Sequence, residues 1–170
     1  EIVRRVMTEA SRDIPIELSC LVAPTAREIS RANSTIVQAY ASDPARKQLF
    51  RIEDELKKMG YQSSLKTVLG YGGVTNIRYP RLFEAAMSGP IGGLMGARYL
   101  GSVIGENNIV CSDVGGTSFD AGVISSGVLP IDREPGFQNM YVNAPMLGIT
   151  SIGAGTGTNI RVDPATNRIK

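Results

Sequence analysis

The sequence predicts an α/β protein, and three observations carry that expectation. Two apolar runs, Asn108-Ile109-Val110-Cys111-Ser112 and Ala121-Gly122-Val123-Ile124, flank Asp113-Val114-Gly115-Gly116-Thr117-Ser118-Phe119-Asp120. That pattern reads as strand, glycine turn and strand. Upstream, Leu49, Ile52, Leu56 and Met59 recur at helical spacing on a segment that stops at Gly60. Strand-like stretches at 65–69 and 149–152 each run into a glycine cluster, Gly70-Tyr71-Gly72-Gly73 and Gly153-Ala154-Gly155-Thr156-Gly157-Thr158.

Taken in order, Glu1 to Ser11 reads as a short helix with Ile2, Val3, Val6 and Met7 on one face. Ile16 to Ala23 reads as a strand. A helix from Pro24-Thr25 to about Ser42 places Ile29, Ala32, Ile36 and Ala39 on one stripe. Asp43-Pro44 reads as a restart, an N-cap followed by proline in the first turn. The helix that follows carries Glu53/Lys57 and Asp54/Lys58 pairs on what reads as a solvated face. A short helix is expected over Arg81–Met87. Beyond Ser88-Gly89-Pro90 comes a small-residue helix, in which Gly92, Gly93, Gly96 and Ala97 offer a surface for close backbone packing, either in a core or at a hinge. After the 113–120 hairpin, Ser125-Ser126-Gly127 reads as a turn, Val128 to Ile131 as a continuation of the meander, and Asp132 to Asn139 as a loop. Ile160 and Val162 suggest a last strand closed by Asp163-Pro164.

Composition narrows the chemistry. With 42% hydrophobic and 20% charged residues, the 170-residue chain can bury a core. Its net charge of +2 gives no reason to expect a nucleic-acid partner, and no apolar run reaches the roughly 20 residues that span a bilayer. Cys20 and Cys111 sit in apolar runs and read as buried, reduced thiols of a cytoplasmic protein. There is no histidine, which excludes Ser-His and Cys-His nucleophilic machinery and histidine-ligated zinc within this chain. Chemistry must rest on carboxylates, hydroxyls, backbone amides and a bound cofactor. The abrupt first and last residues are expected of a piece of a longer protein.

The three glycine clusters are not equivalent. Around Asp113, glycines let backbone N–H groups approach an anion, and a carboxylate at the end of a strand can orient a hydrated cation or a reacting water. The plain alternative is a hairpin turn, which Gly-Gly favours on its own. The 153–158 cluster is not a Rossmann fingerprint, because strand-like sequence follows it where a helix must open. It reads as a loop lining a nucleotide site or as a structural turn. Gly70 to Gly73 reads as a bend.

Order adds weight to the Asp113 loop. A small-residue helix, a short loop, an apolar strand and Asp-x-Gly-Gly-Thr, spanning Ser88 to Ile124, resemble the arrangement in the actin/Hsp70/sugar-kinase (ribonuclease H-like) ATPase superfamily. Ser88-Gly89-Pro90-x-x-Gly93, Asp113-x-Gly115-Gly116-Thr117-Ser118-x-Asp120 and Ile152-Gly153-Ala154-Gly155-x-Gly157 together resemble the hydantoinase A/oxoprolinase family, as do Arg31 and Thr35 to Tyr40 upstream. Asp120-Ala121-Gly122-Val123-Ile124 and Pro130 to Tyr141 are most similar to its acetone carboxylase-type, ATP-binding (beta-type) subunits.

The resemblance implies a fragment of a two-lobed ATPase. Residues 1–107 would belong to the first lobe, with a connecting helix at about 90–104, and 108–170 would begin the second. It implies ATP and Mg²⁺ as cofactors, a small ketone and bicarbonate as substrates, other carboxylase subunits as partners, and no nucleic acid or membrane. Gly115, Gly116, Thr117 and Ser118 would hold phosphate oxygens. Asp113 would position Mg²⁺ through water or orient the attacking oxygen. Asp120 would support the loop or only the hairpin, and Gly153, Gly155 and Gly157 would line the site. A first Asp-x-Gly-Gly-Thr loop, expected of the family, is absent from this sequence, so the piece alone is not expected to turn over ATP. Two other functions stay open: ATP-dependent ring opening of a hydantoin or 5-oxoproline, and a non-catalytic lobe for subunit docking or hinge motion.

Overall fold

The computed structural model describes residues 2–10, 15–137 and 140–169. In chain order its elements are helices α1 (Ile2–Ala10), α2 (Ser19–Val22) and α3 (Glu28–Lys58), then strands β1 (Lys66–Val68) and β2 (Val74–Asn76), a 3-10 turn at Leu82–Ala85, and helix α4 (Ser88–Ile104). Strands β3 (Ile109–Val114), β4 (Phe119–Ile124), β5 (Ile131–Asp132), β6 (Gly136–Phe137), β7 (Met140–Tyr141) and β8 (Met146–Leu147) follow. The last are β9 (Ile149–Ile152), β10 (Val162–Asp163) and β11 (Arg168–Ile169). The chain divides into two compact units, 1–92 with 130–147 and 93–129 with 148–170, so α4 carries the chain from one to the other.

The first unit is organised by α3, a single helix of 31 residues that runs through Pro44. The expected break at Asp43-Pro44 does not occur. Proline forfeits one backbone hydrogen bond, but packing on both sides of it holds the helix together. The expected apolar stripe is also on the wrong side: Ile29, Ala32, Ile36 and Ala39 are exposed. The buried stripe is Ser30, Ser34, Val37, Gln38 and Ser42. It is tolerated because each polar group is satisfied. Ser34 Oγ donates to Ser30 O at 2.7 Å and accepts from Asn143 N at 2.8 Å. Gln38 donates to Pro80 O at 2.8 Å and accepts from Ser42 Oγ at 2.7 Å. Against this stripe lies a core of Val22, Val37, Phe83, Val142 and Ala144.

The C-terminus of α3 follows the sequence more closely. Gly60 has φ +97°, its amide reaches Lys57 O at 3.0 Å, and Tyr61 N reaches Leu56 O at 2.9 Å, a Schellman cap. Glu53, however, is not on a solvated face. Its side chain is fully buried and accepts from Arg78 Nη2 at 2.6 Å, Leu65 N at 2.9 Å and Lys57 Nζ at 3.2 Å. The Arg78 hydrogen bond, then that from Leu65, hold its carboxyl down to about 2 against the opposing effect of burial. Lys58 pairs with Glu55 rather than Asp54.

Ile16 to Ala23 is not a strand. The amides of Leu21 and Val22 both reach Leu18 O and that of Ala23 reaches Ser19 O, closing the short helix that buries Val22 and Ala23. β1 and β2 form a hairpin around Gly70–Gly73, in which Leu69 N bonds Gly73 O. The expected 132–139 loop contains β6, which pairs with β7, while 138–139 lie outside the described residues. β5 pairs with β8.

The second unit is a three-stranded antiparallel sheet of order β3-β4-β9, with α4 on one face. An ideal Cβ at Gly122 would lie 2.9 Å from Leu94 Cδ1, so that glycine lets α4 sit close to the sheet. Leu94 and Ile124 are almost fully buried, whereas Val110 and Val123 on the opposite face are exposed. The Gly93 and Gly96 positions meet no atom within 4 Å, so the expected close packing along that stripe is not present among the described residues. Cys20 is exposed and Cys111 half-buried, not both buried as composition suggested; both thiols are free.

Candidate functional site

The Asp113 hairpin forms as the sequence indicates, with β3 and β4 paired in the register Asp113↔Asp120 and Val114↔Phe119. β9 adds to the other edge of β4 and pairs Ser151 with Asp120 and Ile152 with Phe119. Directly paired residues of antiparallel strands share a face. Asp113, Asp120 and Ser151 therefore form one row across the sheet, just below its glycine turns. Asp113 is exposed and Asp120 buried. Ser118 Oγ donates to Asp120 Oδ2 at 3.1 Å, which ties the buried carboxylate to the turn rather than to an open site.

Within the turn, Gly115 N donates to Ser118 O at 2.9 Å. The Gly115 amide is thus committed inside the hairpin, and its contribution is shape rather than a free donor. The amides of Gly116 and Thr117 make no backbone hydrogen bond among the described residues, and both residues are exposed. An ideal Cβ at Gly116 would meet nothing within 4 Å. Two amides without a hydrogen-bond partner among the described residues and the exposed Thr117 thus lie on the turn that follows the exposed Asp113.

The 153–158 cluster turns back onto this hairpin. Thr156 N donates to Gly115 O at 3.0 Å. At Gly155 an ideal Cβ would lie 2.4 Å from both C and O of Gly116 and 2.5 Å from Thr117 N, so the two loops are in backbone contact that only glycine permits. Gly153 and Gly157 have open space at the same position. The structure therefore brings Asp113, Gly115, Gly116, Thr117, Ser118, Asp120 and Gly155 together, and sets Gly153 and Gly157 on the flanks of Gly155. Ser151 and Thr156 were not singled out from sequence. Their places follow from strand register and a backbone hydrogen bond, neither of which leaves a compositional mark.

Unengaged amides and a hydroxyl suit phosphate oxygens. Among the described residues no group of three or more Cys, Asp or Glu side chains is arranged to hold a metal ion. A single exposed carboxylate still suits Mg²⁺, which keeps several waters and is commonly held by one or two carboxylates plus phosphates. No helix among the described residues is long and apolar enough to cross a membrane.

The comparisons with known proteins return relatives that share this mixed α/β fold. The hydantoinase/oxoprolinase family model matches residues 31–170, and the chain belongs to that family. It is 37% identical over its whole length to the acetone carboxylase beta subunit of Xanthobacter autotrophicus and covers 24% of that protein. It is 28% identical over 174 aligned residues to the acetophenone carboxylase gamma subunit of Aromatoleum aromaticum, covering 99% of this chain and 24% of that one. A solved nucleotide-free structure of acetone carboxylase, reported in connection with ATP-dependent acetone carboxylation, superposes with a TM-score of 0.85. That match has 37% identity over 99% of this chain and 24% of the other. The chain thus spans about a quarter of the length of the curated relatives it matches.

Proposed function

We propose that the chain is part of the ATP-dependent, substrate-activating subunit of a ketone carboxylase. In this reading the Asp113–Thr117 turn binds the phosphates of Mg-ATP. The observation that carries it is the stacking of the 153–158 loop on the hairpin, whose Gly116 and Thr117 amides make no hydrogen bond among the described residues. Phosphoryl transfer asks the protein mainly for positioning and charge neutralisation, and these groups supply both. Gly116 and Thr117 N–H and the Thr117 hydroxyl donate to phosphate oxygens. Gly115, Ser118 and Asp120 hold the turn, and Gly155 braces it from behind. Asp113 orients the water shell of Mg²⁺, whose charge would offset that of the phosphates. Gly153 and Gly157 border the site.

The two-lobed actin-like architecture belongs to the same reading, with 1–107 assigned to the first lobe and 108–170 to the second. Cytoplasmic location and association with further carboxylase subunits, with a ketone and bicarbonate as substrates, go with it. The family's name, hydantoinase/oxoprolinase, favours a second reading in which the same phosphate site drives opening of a cyclic amide.

The test is phosphate release from ATP by the full-length protein with its co-purifying subunits, comparing acetone or acetophenone plus bicarbonate with hydantoin and 5-oxoproline. Ketone stimulation that Asp113→Ala lowers by at least about a hundredfold is expected. Stimulation by cyclic amides alone would move the protein to the second reading. Unchanged turnover in Asp113→Ala would remove Asp113 from the site.

A further inference from the structure

We draw no further inference here: the strongest candidate, the exposed apolar patch of Val110, Val114, Val123 and Ile152 on the open face of the β3-β4-β9 sheet, carries none, because nothing in the structure shows what covers it.

Discussion

Replacing Gly155 by alanine should disable the proposed nucleotide site while leaving the fold standing. The added methyl would sit 2.4 Å from C and O of Gly116 and 2.5 Å from Thr117 N. Non-bonded heavy atoms relax near 3.5 Å, so one loop must retreat by about 1 Å. No side chain can rotate away, because the obstructing atoms are backbone. The hairpin is anchored by β3 and β4, and the other loop is pinned by the bond from Thr156 N to Gly115 O. Strain retained in place costs about 1–3 kcal/mol, as for other overpacking. If the loops part instead, the Thr156 bond is lost, at about 1 kcal/mol, and the Gly116 and Thr117 amides move by about the same ångström. A displacement of that size near reacting groups can cost on the order of a hundredfold in rate.

The assay pairs denaturant unfolding with nucleotide affinity and phosphate release in the full-length protein. Gly153→Ala and Gly157→Ala serve as controls, since their methyls meet nothing within 4 Å. Gly155→Ala should lose about a hundredfold in phosphate release with at most about 3 kcal/mol of stability, and the controls should stay near wild type. If all three variants behaved alike, the stacked-loop argument would fail.

Three other outcomes follow from the packing. Glu53 has its carboxyl at about 2 in the folded state against 4.5 unperturbed, so its contribution to stability is complete above about pH 5 and is lost as pH falls toward 2. Glu53→Gln should therefore be less stable at pH 7 and show a flatter decline on acidification in pH-dependent unfolding; an unchanged acid profile would refute the assignment. Pro44→Ala should stabilise α3 by about 2 kcal/mol, the interior cost of proline less its entropic benefit in the unfolded chain, as read from a denaturant midpoint. Ile77→Ala, at a fully buried position, should cost about 2–5 kcal/mol by the same measurement.

What could be read from sequence was what is encoded locally. The Asp113 hairpin, the Ser125–Gly127 turn and the Gly60 cap depend on a few adjacent residues with special backbone needs, and all three form. Ser126 and Gly127 take φ of 51° and 75°, and Ser125 bridges Val128. The burial of α3 was not legible, because its inward stripe is serine and glutamine satisfied by distant groups such as Asn143 N and Pro80 O. Hydrophobic periodicity is blind to such a face and selects Ile29 and Ile36, which are exposed. Glu53 misled for the same reason: its Lys57 partner is visible at helical spacing, but Arg78, 25 residues away, decides its burial. Half of the candidate site was legible as glycine motifs. The contact between them was not, since it depends on β9 joining the far edge of β4.

In the proposed reading, that contact also bears on how one phosphate site could serve either of the two reactions. The groups that would touch nucleotide are backbone amides and a threonine hydroxyl, set by two loops that depend on each other's glycines. Backbone amides recognise phosphate oxygens whatever the acceptor is, so nothing in the hairpin distinguishes a ketone from a cyclic amide. Discrimination must arise from side chains that meet the acceptor itself. A swap of the 113–120 hairpin between a carboxylase and a ring-opening relative should therefore leave substrate preference with the recipient, while nucleotide affinity follows the match between hairpin and 153–158 loop. Transfer of substrate preference with the hairpin would place specificity in the turn and contradict the division of labour proposed here.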